Sequence, residues 1–236
     1  MLCGQAWFTD CVRALDPAAQ VHWTQPEGSV VAAGAVVCTI EADVRALLSA
    51  ERPALNFLQL LSATASVTRR YVEAIAGASP NPLGCAVLDN RKTLPGLRQA
   101  QKYAVRVGGG QNQRLALWHG ILIKENHIAA AGGIAQALGR AGQLDAGVTV
   151  QVEVENLDEL KQALASGATS VLLDDFSHDD MRAAVALNAG RALLEVSGGV
   201  DLERIQAIAR TGVDRISVGK LTKDVRAIDL SMRIVG

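Results

Sequence analysis

The sequence predicts an α/β protein in which repeated βα units form a TIM-like barrel, closed or incomplete, with a smaller α/β sandwich domain. Two observations lead to this fold class. From Cys85 to Lys220, six short apolar runs such as CAVLDN, GILIK and SVLLDD alternate with stretches of helical periodicity. Apolar strands that alternate with helices indicate a parallel sheet covered by helices. Before this repeat the pattern differs, and it ends at the turn-rich ASPNPLG.

The first segment, residues 1–79, predicts the smaller domain, which we expect to be shortened at its N-terminus. VHWTQ and VVCTIE have the composition of strands, and a helix through ADVRALLSA follows them. A separate long helix is predicted over residues 53–77, with Pro53 in its first turn, where the missing N–H is not needed. The last segment, residues 225–236, alternates like a strand, and we expect it to return to this domain.

Polar residues follow each predicted strand of the barrel domain, residues 80–224. In α/β barrels the C-terminal ends of the strands converge on the face where active sites are built. Cations follow the first two strands, and carboxylates and glycines follow the later ones. These strand-end residues are Asn90, Arg91, Lys92, Lys124, Glu125, Asn126, Glu153, Glu155, Asp174, Asp175, Glu195, Ser197, Gly198, Gly199, Gly219 and Lys220.

The stretch from Asn90 to Lys124 carries seven cations and no carboxylate, although the whole chain has a net charge of −1. Such a cluster indicates an anionic ligand or a counter-charge elsewhere in the fold. Arg91 and Arg114 can each bind a carboxylate or phosphate through two N–H groups, whereas lysines act as point charges. Arg98, Lys102 and Arg106 recur at helical spacing, and we interpret them as a solvated face.

Two glycine-containing strand ends favour a phosphate-bearing ligand. SGG precedes the predicted helix DLERIQAIA, where free N–H groups and the helix dipole attract an anion. VGK follows the next strand and adds a cation. The triple glycine 108–110 has two interpretations, a close approach to a ligand or a helix end.

Composition argues against several classes of protein. Aromatic residues make up 3%, and the near-neutral charge lacks the basic field that nucleic-acid and membrane-surface proteins need. The opening segment lacks the pattern of a signal peptide, and no apolar run approaches the ~20 residues of a membrane span. The four cysteines have no zinc spacing. We therefore expect a cytoplasmic protein that binds neither nucleic acid nor membrane. Glu153 and Asp174 are candidates for holding Mg²⁺ or for stabilising a positive charge.

The motifs ERPALNFLQLLSATASVTRRYVEAI, DNRKTLPGLRQAQKYAVRVGGG, LIKENHI, VEVENLDEL, LLDDF, EVSGGV and ISVGKLTKDVRAIDLSM occur in this order. Together they closely resemble the quinolinate phosphoribosyltransferase family. The resemblance implies transfer of phosphoribose from phosphoribosyl pyrophosphate to quinolinate with loss of CO₂, giving nicotinate mononucleotide and pyrophosphate in NAD biosynthesis. It also implies Mg²⁺ as cofactor and a homodimer with shared active sites.

The resemblance assigns roles residue by residue. Arg52 would reach the partner subunit's site in trans and bind quinolinate. Glu153 and Asp174 would face the ribose and the metal, and with Lys92 and Lys124 they form the expected catalytic set. The remaining expected substrate-binding residues line the acid pocket or hold the 5-phosphate; they are Arg91, Lys92, Gln113, Arg114, Lys124, Ser197, Gly198, Gly199, Gly219 and Lys220.

The chain departs from the family pattern at several of these motifs. Gln113 stands where the family has a histidine in the quinolinate pocket, and glutamine cannot become cationic. Asp175, in place of asparagine, adds negative charge near a site for anions. Two alternatives therefore stay open at the level of sequence. One is a paralogue that acts on another aromatic acid or is linked to molybdate transport, and the other is a catalytically degenerate anion-binding subunit.

Overall fold

The computed structural model describes residues 1–235, which form two compact units. The first unit comprises Met1–Arg70, Thr93–Gly110 and the segment from Leu221, and the second comprises Tyr71–Lys92 and Gln111–Lys220. The limits predicted for the two domains, 1–79 and 80–224, stay predictions. No helix within residues 1–235 is long and apolar enough to cross a membrane.

The first unit begins with helix α1 (Gln5–Arg13) and a two-stranded antiparallel sheet. Strands β1 (Gln20–Trp23) and β2 (Cys38–Glu41) pair with Val21 opposite Ile40. Both strands were predicted. Their inner side chains pack on a core that includes Phe8, Val12, Ala54 and Leu58.

Helix α2 runs without interruption through Val44–Ile75, so the prediction of two separate helices, the second over residues 53–77, was wrong. Pro53 lies inside this helix. Its side chain is exposed, so the carbonyl group that loses its intrahelical partner can bind water instead. The apolar stripe predicted for this helix is buried, and its members are Leu55, Leu58, Leu61 and Ala65.

The C-terminal segment returns to the first unit but forms no strand over residues 225–235, which corrects the strand predicted there. It crosses α2 instead. The N–H of Ile228 donates to the carbonyl of Gln59 at 3.4 Å, and the Gln59 side chain donates to the carbonyl of Leu230 at 3.1 Å. Leu230 and Met232 then pack on the core of this unit. The segment alternates because one side faces a helix, not because it pairs with a strand.

The triple glycine marks the end of helix α3 (Arg98–Val107) and its close packing on α2. Gly109 has a φ of 89°, which glycine adopts readily. A Cβ atom on Gly108 would lie 2.5 Å from the carbonyl oxygen of Ala65. The solvated face predicted for α3 was wrong at Lys102, which is 1% exposed. Of the two interpretations of these glycines, the helix end is the one that the structure supports.

We expect Gly108→Ala to destabilise the protein by about 2 kcal/mol, because the added methyl group meets a helix backbone that cannot rotate away. Gly139→Ala is the matched control. Gly139 lies in the helix Ile134–Gln143, and a Cβ atom there meets nothing within 4 Å. That change should be neutral or stabilising by up to about 1 kcal/mol. Urea unfolding measures both, and equal midpoints for the two variants would contradict the close packing.

The second unit contains a six-stranded parallel sheet, as the six predicted βα units require. Its strands in chain order are β3 (Ala86–Leu88), β4 (Ile121–Ile123), β5 (Val150–Val154), β6 (Ser170–Asp174), β7 (Leu193–Ser197) and β8 (Arg215–Ser217). The order in the sheet is β3-β8-β7-β6-β5-β4. This is the order of a barrel that is open between β3 and β4. Next to β3, Gln111 forms a single parallel bridge with Leu88.

Helices follow the strands and complete the predicted α/β pattern. They are α4 (Glu125–Ala131), α5 (Ile134–Gln143), α6 (Leu157–Ala165), α7 (His178–Asn188), α8 (Ile205–Ala209) and α9 (Lys220–Lys223). Asn156 and Ser177 cap α6 and α7 by accepting from N–H groups of the first turn. Helix α8 begins four residues later than the predicted Asp201. The fold class, an incomplete TIM-like barrel with a smaller α/β domain, is confirmed.

Candidate active site

Most of the predicted site residues lie at the C-terminal ends of the strands of the second unit. Arg52 lies on α2 in the first unit, and Gln113 and Arg114 follow Gln111, which forms a bridge with Leu88 of β3. In the sheet register, Glu153 of β5 is opposite Leu172 of β6, and Asp174 of β6 is opposite Ser197 of β7. Leu172 and Asp174 point to the same face of β6, since side chains alternate along a strand. Glu153 and Asp174 are therefore diagonal neighbours on one face of the sheet.

An ion pair joins the early cations to the later carboxylates. Nζ of Lys124, at the end of β4, lies 2.9 Å from Oε1 of Glu153. Glu153 is only 9% exposed, whereas Lys124 is exposed. The main-chain N–H of Lys124 donates to Nδ1 of His127 at 3.1 Å, which fixes the backbone where α4 begins. Part of the counter-charge for the cationic stretch is thus Glu153.

Two arginines lie near each other at this site. Burial lowers the pKa of Arg114, the nearby charge of Arg91 lowers it further, and Glu195 and Glu153 raise it. Arginine nevertheless remains charged at neutral pH. Nη1 of Arg114 donates to the carbonyl of Gly120 at 3.2 Å. An anion bound between the two guanidinium groups would relieve their repulsion, so the pair is suited to a carboxylate or phosphate ligand.

A buried polar network supports the same segment, and its members Gln151 and Ser217 were not among the predicted site residues. Glu195 is 1% exposed and accepts hydrogen bonds from Gln113, Gln151 and Ser217. The signal was present in the sequence: Gln151 and Glu153 alternate with valines on a strand with apolar neighbours. Polar residues that share one face of a buried strand indicate a polar barrel interior.

A glycine loop follows β7 and lies beside the loop that follows β8, since these strands are neighbours. Gly198 has a φ of 103°, and a Cβ atom there would lie 2.9 Å from Cγ and 3.0 Å from the main-chain N of Asp175. Nζ of Lys220 lies 3.8 Å from Oδ2 of Asp201. Helix α8 has five residues and begins at Ile205, so its N-terminus lies farther along the chain from the glycines than predicted. Loop N–H groups and Lys220 remain as the groups suited to an anion.

Arg52 lies on α2 in the first unit, and its side chain is 67% exposed. Nη2 of Arg52 lies 3.9 Å from Oε1 of Glu51, at the limit for an ion pair in solvent. Such a pair contributes little to stability. The side chain is therefore available for contacts outside its own helix.

The second unit is a TIM-like barrel with a parallel βα sheet. Two mutually repelling arginines, a lysine–glutamate pair and a glycine loop make its site suited to a small polyanion. The chain belongs to the quinolinate phosphoribosyl transferase family. The family's N-terminal domain matches residues 1–62, and its C-terminal domain matches residues 64–233. The resemblance found in the motifs is thereby confirmed.

Named proteins and a solved structure are similar to this chain. The probable nicotinate-nucleotide pyrophosphorylase (carboxylating) of Bacillus subtilis is 38% identical over 236 residues, covering 99% of this chain and 80% of that protein. The corresponding protein of Mycobacterium leprae is 41% identical, covering 90% of this chain and 74% of its own length. The structure of the nicotinate-nucleotide pyrophosphorylase of Francisella tularensis superposes with a TM-score of 0.92 at 49% identity, covering 98% and 80% of the two chains.

Proposed function

We propose that this protein transfers phosphoribose from phosphoribosyl pyrophosphate to quinolinate with decarboxylation, giving nicotinate mononucleotide, pyrophosphate and CO₂. The observation that carries the proposal is the mutual repulsion of the Arg91 and Arg114 guanidinium groups in a chain of this family. Quinolinate carries two carboxylates, and these guanidinium groups suit them. The names of the relatives favour this activity over a paralogue for another acid and over a degenerate subunit.

The chain's own residues support the charge changes of the reaction. When the bond between C1 of the ribose and the pyrophosphate oxygen breaks, the electron pair leaves with pyrophosphate, and C1 gains oxocarbenium character. Glu153 and Asp174 stabilise this positive charge, and Lys92 and Lys124 offset the negative charge of the leaving group. The ring nitrogen then bonds to C1, and the cationic ring accepts the electron pair released by loss of CO₂. A proton from solvent replaces the carboxylate.

Glu153 and Asp174 also fit Mg²⁺ in the chemistry of their donors. They are carboxylates on one face of neighbouring strands, and Mg²⁺ usually binds one or two carboxylates together with substrate phosphates. Within residues 1–235 no group of three or more metal-binding side chains occurs, so phosphate oxygens and water would complete the shell. Bound Mg²⁺ would neutralise pyrophosphate.

The 5-phosphate is assigned to Ser197, Gly198, Gly199 and Gly219, with Lys220 nearby. Asp175 is exposed and its carboxylate lies against Gly198, so its charge opposes a phosphate there. We expect Asp175→Asn to lower the KM for phosphoribosyl pyrophosphate about threefold, because asparagine keeps the left-handed backbone without the charge. The control is Asp179→Asn on α7, which should leave this KM unchanged. A raised KM in the Asp175 variant would contradict the assignment.

We also propose a homodimer in which Arg52 binds quinolinate in the partner's site. Its exposed side chain supports this role. Arg52→Ala and Arg114→Ala should each be nearly inactive alone. After dissociation and random reassociation, about half of the dimers are mixed, and one of the two sites in each mixed dimer is intact. The mixture should therefore regain up to about a quarter of wild-type activity per active site. Absence of recovery in verified mixed dimers would exclude a site shared in this way.

The cytoplasm is the proposed location. Cys3, Cys11, Cys38 and Cys85 are free thiols, the state that cytoplasmic reductants maintain.

The deciding experiment is direct. The purified protein is incubated with quinolinate, phosphoribosyl pyrophosphate and Mg²⁺, and nicotinate mononucleotide and CO₂ are measured. Formation of both at equal rates supports the proposal. Nicotinate or phthalate in place of quinolinate serves as the matched control and should yield no CO₂. No product under conditions where both substrates bind would refute the activity and favour a degenerate subunit.

A further inference from the structure

The carboxylate of Glu195 is buried in the middle of β7 and accepts hydrogen bonds from three neutral groups. Ser217 Oγ donates to Oε1 at 2.6 Å. The side-chain amides of Gln151 and Gln113 donate to Oε2 at 3.0 and 3.3 Å. Burying a carboxylate is costly unless its oxygens are satisfied. An apolar residue would fill the barrel interior at a lower cost in free energy, so packing alone does not explain an acid at this position.

These contacts fix the orientation of two amides. An ionised carboxylate only accepts hydrogen bonds, so Nε2 of both glutamines must face it. Nε2 of Gln113 also donates to Oε1 of Gln151 at 2.9 Å. Oε1 of Gln113 is then turned outward, and it accepts from the main-chain N–H of Arg114. A continuous chain of hydrogen bonds therefore leads from Glu195 through Gln113 to the backbone of Arg114.

The segment that carries Arg114 depends on such contacts. Within residues 1–235 it pairs with the sheet through a single bridge, between Gln111 and Leu88, and not through a ladder. A second buried carboxylate, Asp89, accepts from the Asn112 side chain at 2.6 Å and from the main-chain N–H of Gln113 at 2.8 Å. Asp89 is 0% exposed. Two buried acids, Asp89 and Glu195, thus hold this segment.

We propose that Glu195 is a positioning residue for the acid pocket: it holds the Gln113 amide and through it sets the backbone from which Arg114 reaches the substrate carboxylate. The proposal rests on the proposed function. Gln113 then acts on the substrate through Arg114, since both its amide N–H groups are directed at Glu195 and Gln151. Glutamine suits this place because it offers two donors and one acceptor on a neutral group.

Two substitutions at Glu195 separate geometry from charge. Glu195→Gln keeps an acceptor for both amides, and its own Nε2 can donate to Ser217 Oγ, so the KM for quinolinate should stay within about threefold of wild type. Glu195→Met keeps the length but removes the acceptor. It should raise the KM for quinolinate about tenfold or more, while the KM for phosphoribosyl pyrophosphate changes less than about twofold. Gln113→Met, at a less buried position, should reproduce that selective increase even if Glu195→Met does not fold.

The control is Ser217→Ala, which removes a donor to Glu195 but leaves both amide contacts. It should change the KM for quinolinate less than about twofold. A merely structural role predicts a different outcome, in which Glu195→Met and Gln113→Met lower the melting temperature or the fraction of active protein and leave both KM values unchanged. That outcome would overturn the proposal.

A readout without turnover separates this proposal from the proposed function. In ¹⁵N-labelled protein, the side-chain amide protons of Gln113 should exchange slowly with solvent in the wild type and in Glu195→Gln, and fast in Glu195→Met. If the wild type neither binds quinolinate nor forms product, the proposed function fails. Slow exchange of the Gln113 amide in the wild type and in Glu195→Gln, together with fast exchange in Glu195→Met, would still support positioning. Equal exchange of the Gln113 amide in all three proteins overturns positioning, whatever acid the enzyme takes.

Discussion

Replacing Arg114 by alanine should raise the KM for quinolinate by about a hundredfold or more. Its half-buried guanidinium lies near Arg91, and the two groups face the same anion in the proposed site. A charge-assisted, bidentate contact with a carboxylate is worth about 1.5–3 kcal/mol, and removal also leaves the substrate carboxylate without a partner. Steady-state kinetics with quinolinate as the varied substrate measures the effect. The KM for phosphoribosyl pyrophosphate should change much less.

The matched control is Arg140→Ala, which removes an exposed arginine from α5 of the same unit. It should leave both KM values unchanged, because a surface charge far along a helix is screened by solvent and salt. Arg114→Lys is the second comparison. Lysine keeps the charge but cannot donate two parallel hydrogen bonds to one carboxylate, so we expect recovery of only part of the lost affinity for quinolinate. Full recovery would show that charge alone, without bidentate geometry, accounts for binding.

Substitution of Gly198 by alanine should reduce affinity for phosphoribosyl pyrophosphate by about a hundredfold, with little change in quinolinate binding. Two physical reasons act together. The backbone has a φ of 103°, which alanine adopts only with strain, and the new methyl group would meet Asp175 at 2.9 Å. The loop must therefore move away from the position in which its N–H groups suit a phosphate. Isothermal titration calorimetry with phosphoribosyl pyrophosphate measures the loss.

Gly142→Ala provides the control for this glycine. It lies in α5, where an added Cβ atom meets nothing within 4 Å, and it should not weaken binding of either substrate. The double variant Gly198→Ala, Asp175→Ala tests the cause. If collision with Asp175 dominates, the double variant should gain more affinity over Gly198→Ala than the single variant Asp175→Ala gains over the wild type. An equal gain in both comparisons would assign the loss in Gly198→Ala to backbone strain.

The positions of the six parallel strands could be predicted because each is a short apolar run between polar ends, a pattern that burial on both faces requires. The strand-end residues followed from those runs, which is why Lys124 and Glu153 were expected near each other and do form an ion pair. The homologous motifs supplied roles that spacing alone cannot assign. Features that depend on a local sequence pattern could therefore be predicted.

Features that depend on tertiary contacts could not be predicted from the sequence. Proline is typical of the first turn of a helix, but α2 continues through Pro53 because one face of the helix packs on the core. Lys102 has the spacing of a solvated face and is buried. Gln113 was expected to matter through its missing charge, whereas its amide is held by Glu195, 82 residues away in the chain. Each of these results depends on a neighbour that is distant in sequence.

The interleaving of the two units along the chain has a consequence for biosynthesis. The chain passes between them after Arg70, Lys92, Gly110 and Lys220, and the last segment of the first unit begins only at Leu221. On the ribosome the first unit therefore lacks one of its three segments until the residues from Leu221 onward have been synthesised. The second unit has its whole set of strands earlier. Contacts between such distant segments slow folding, so the nascent N-terminal region must wait for the segment from Leu221, and it is the region that we expect chaperones to protect.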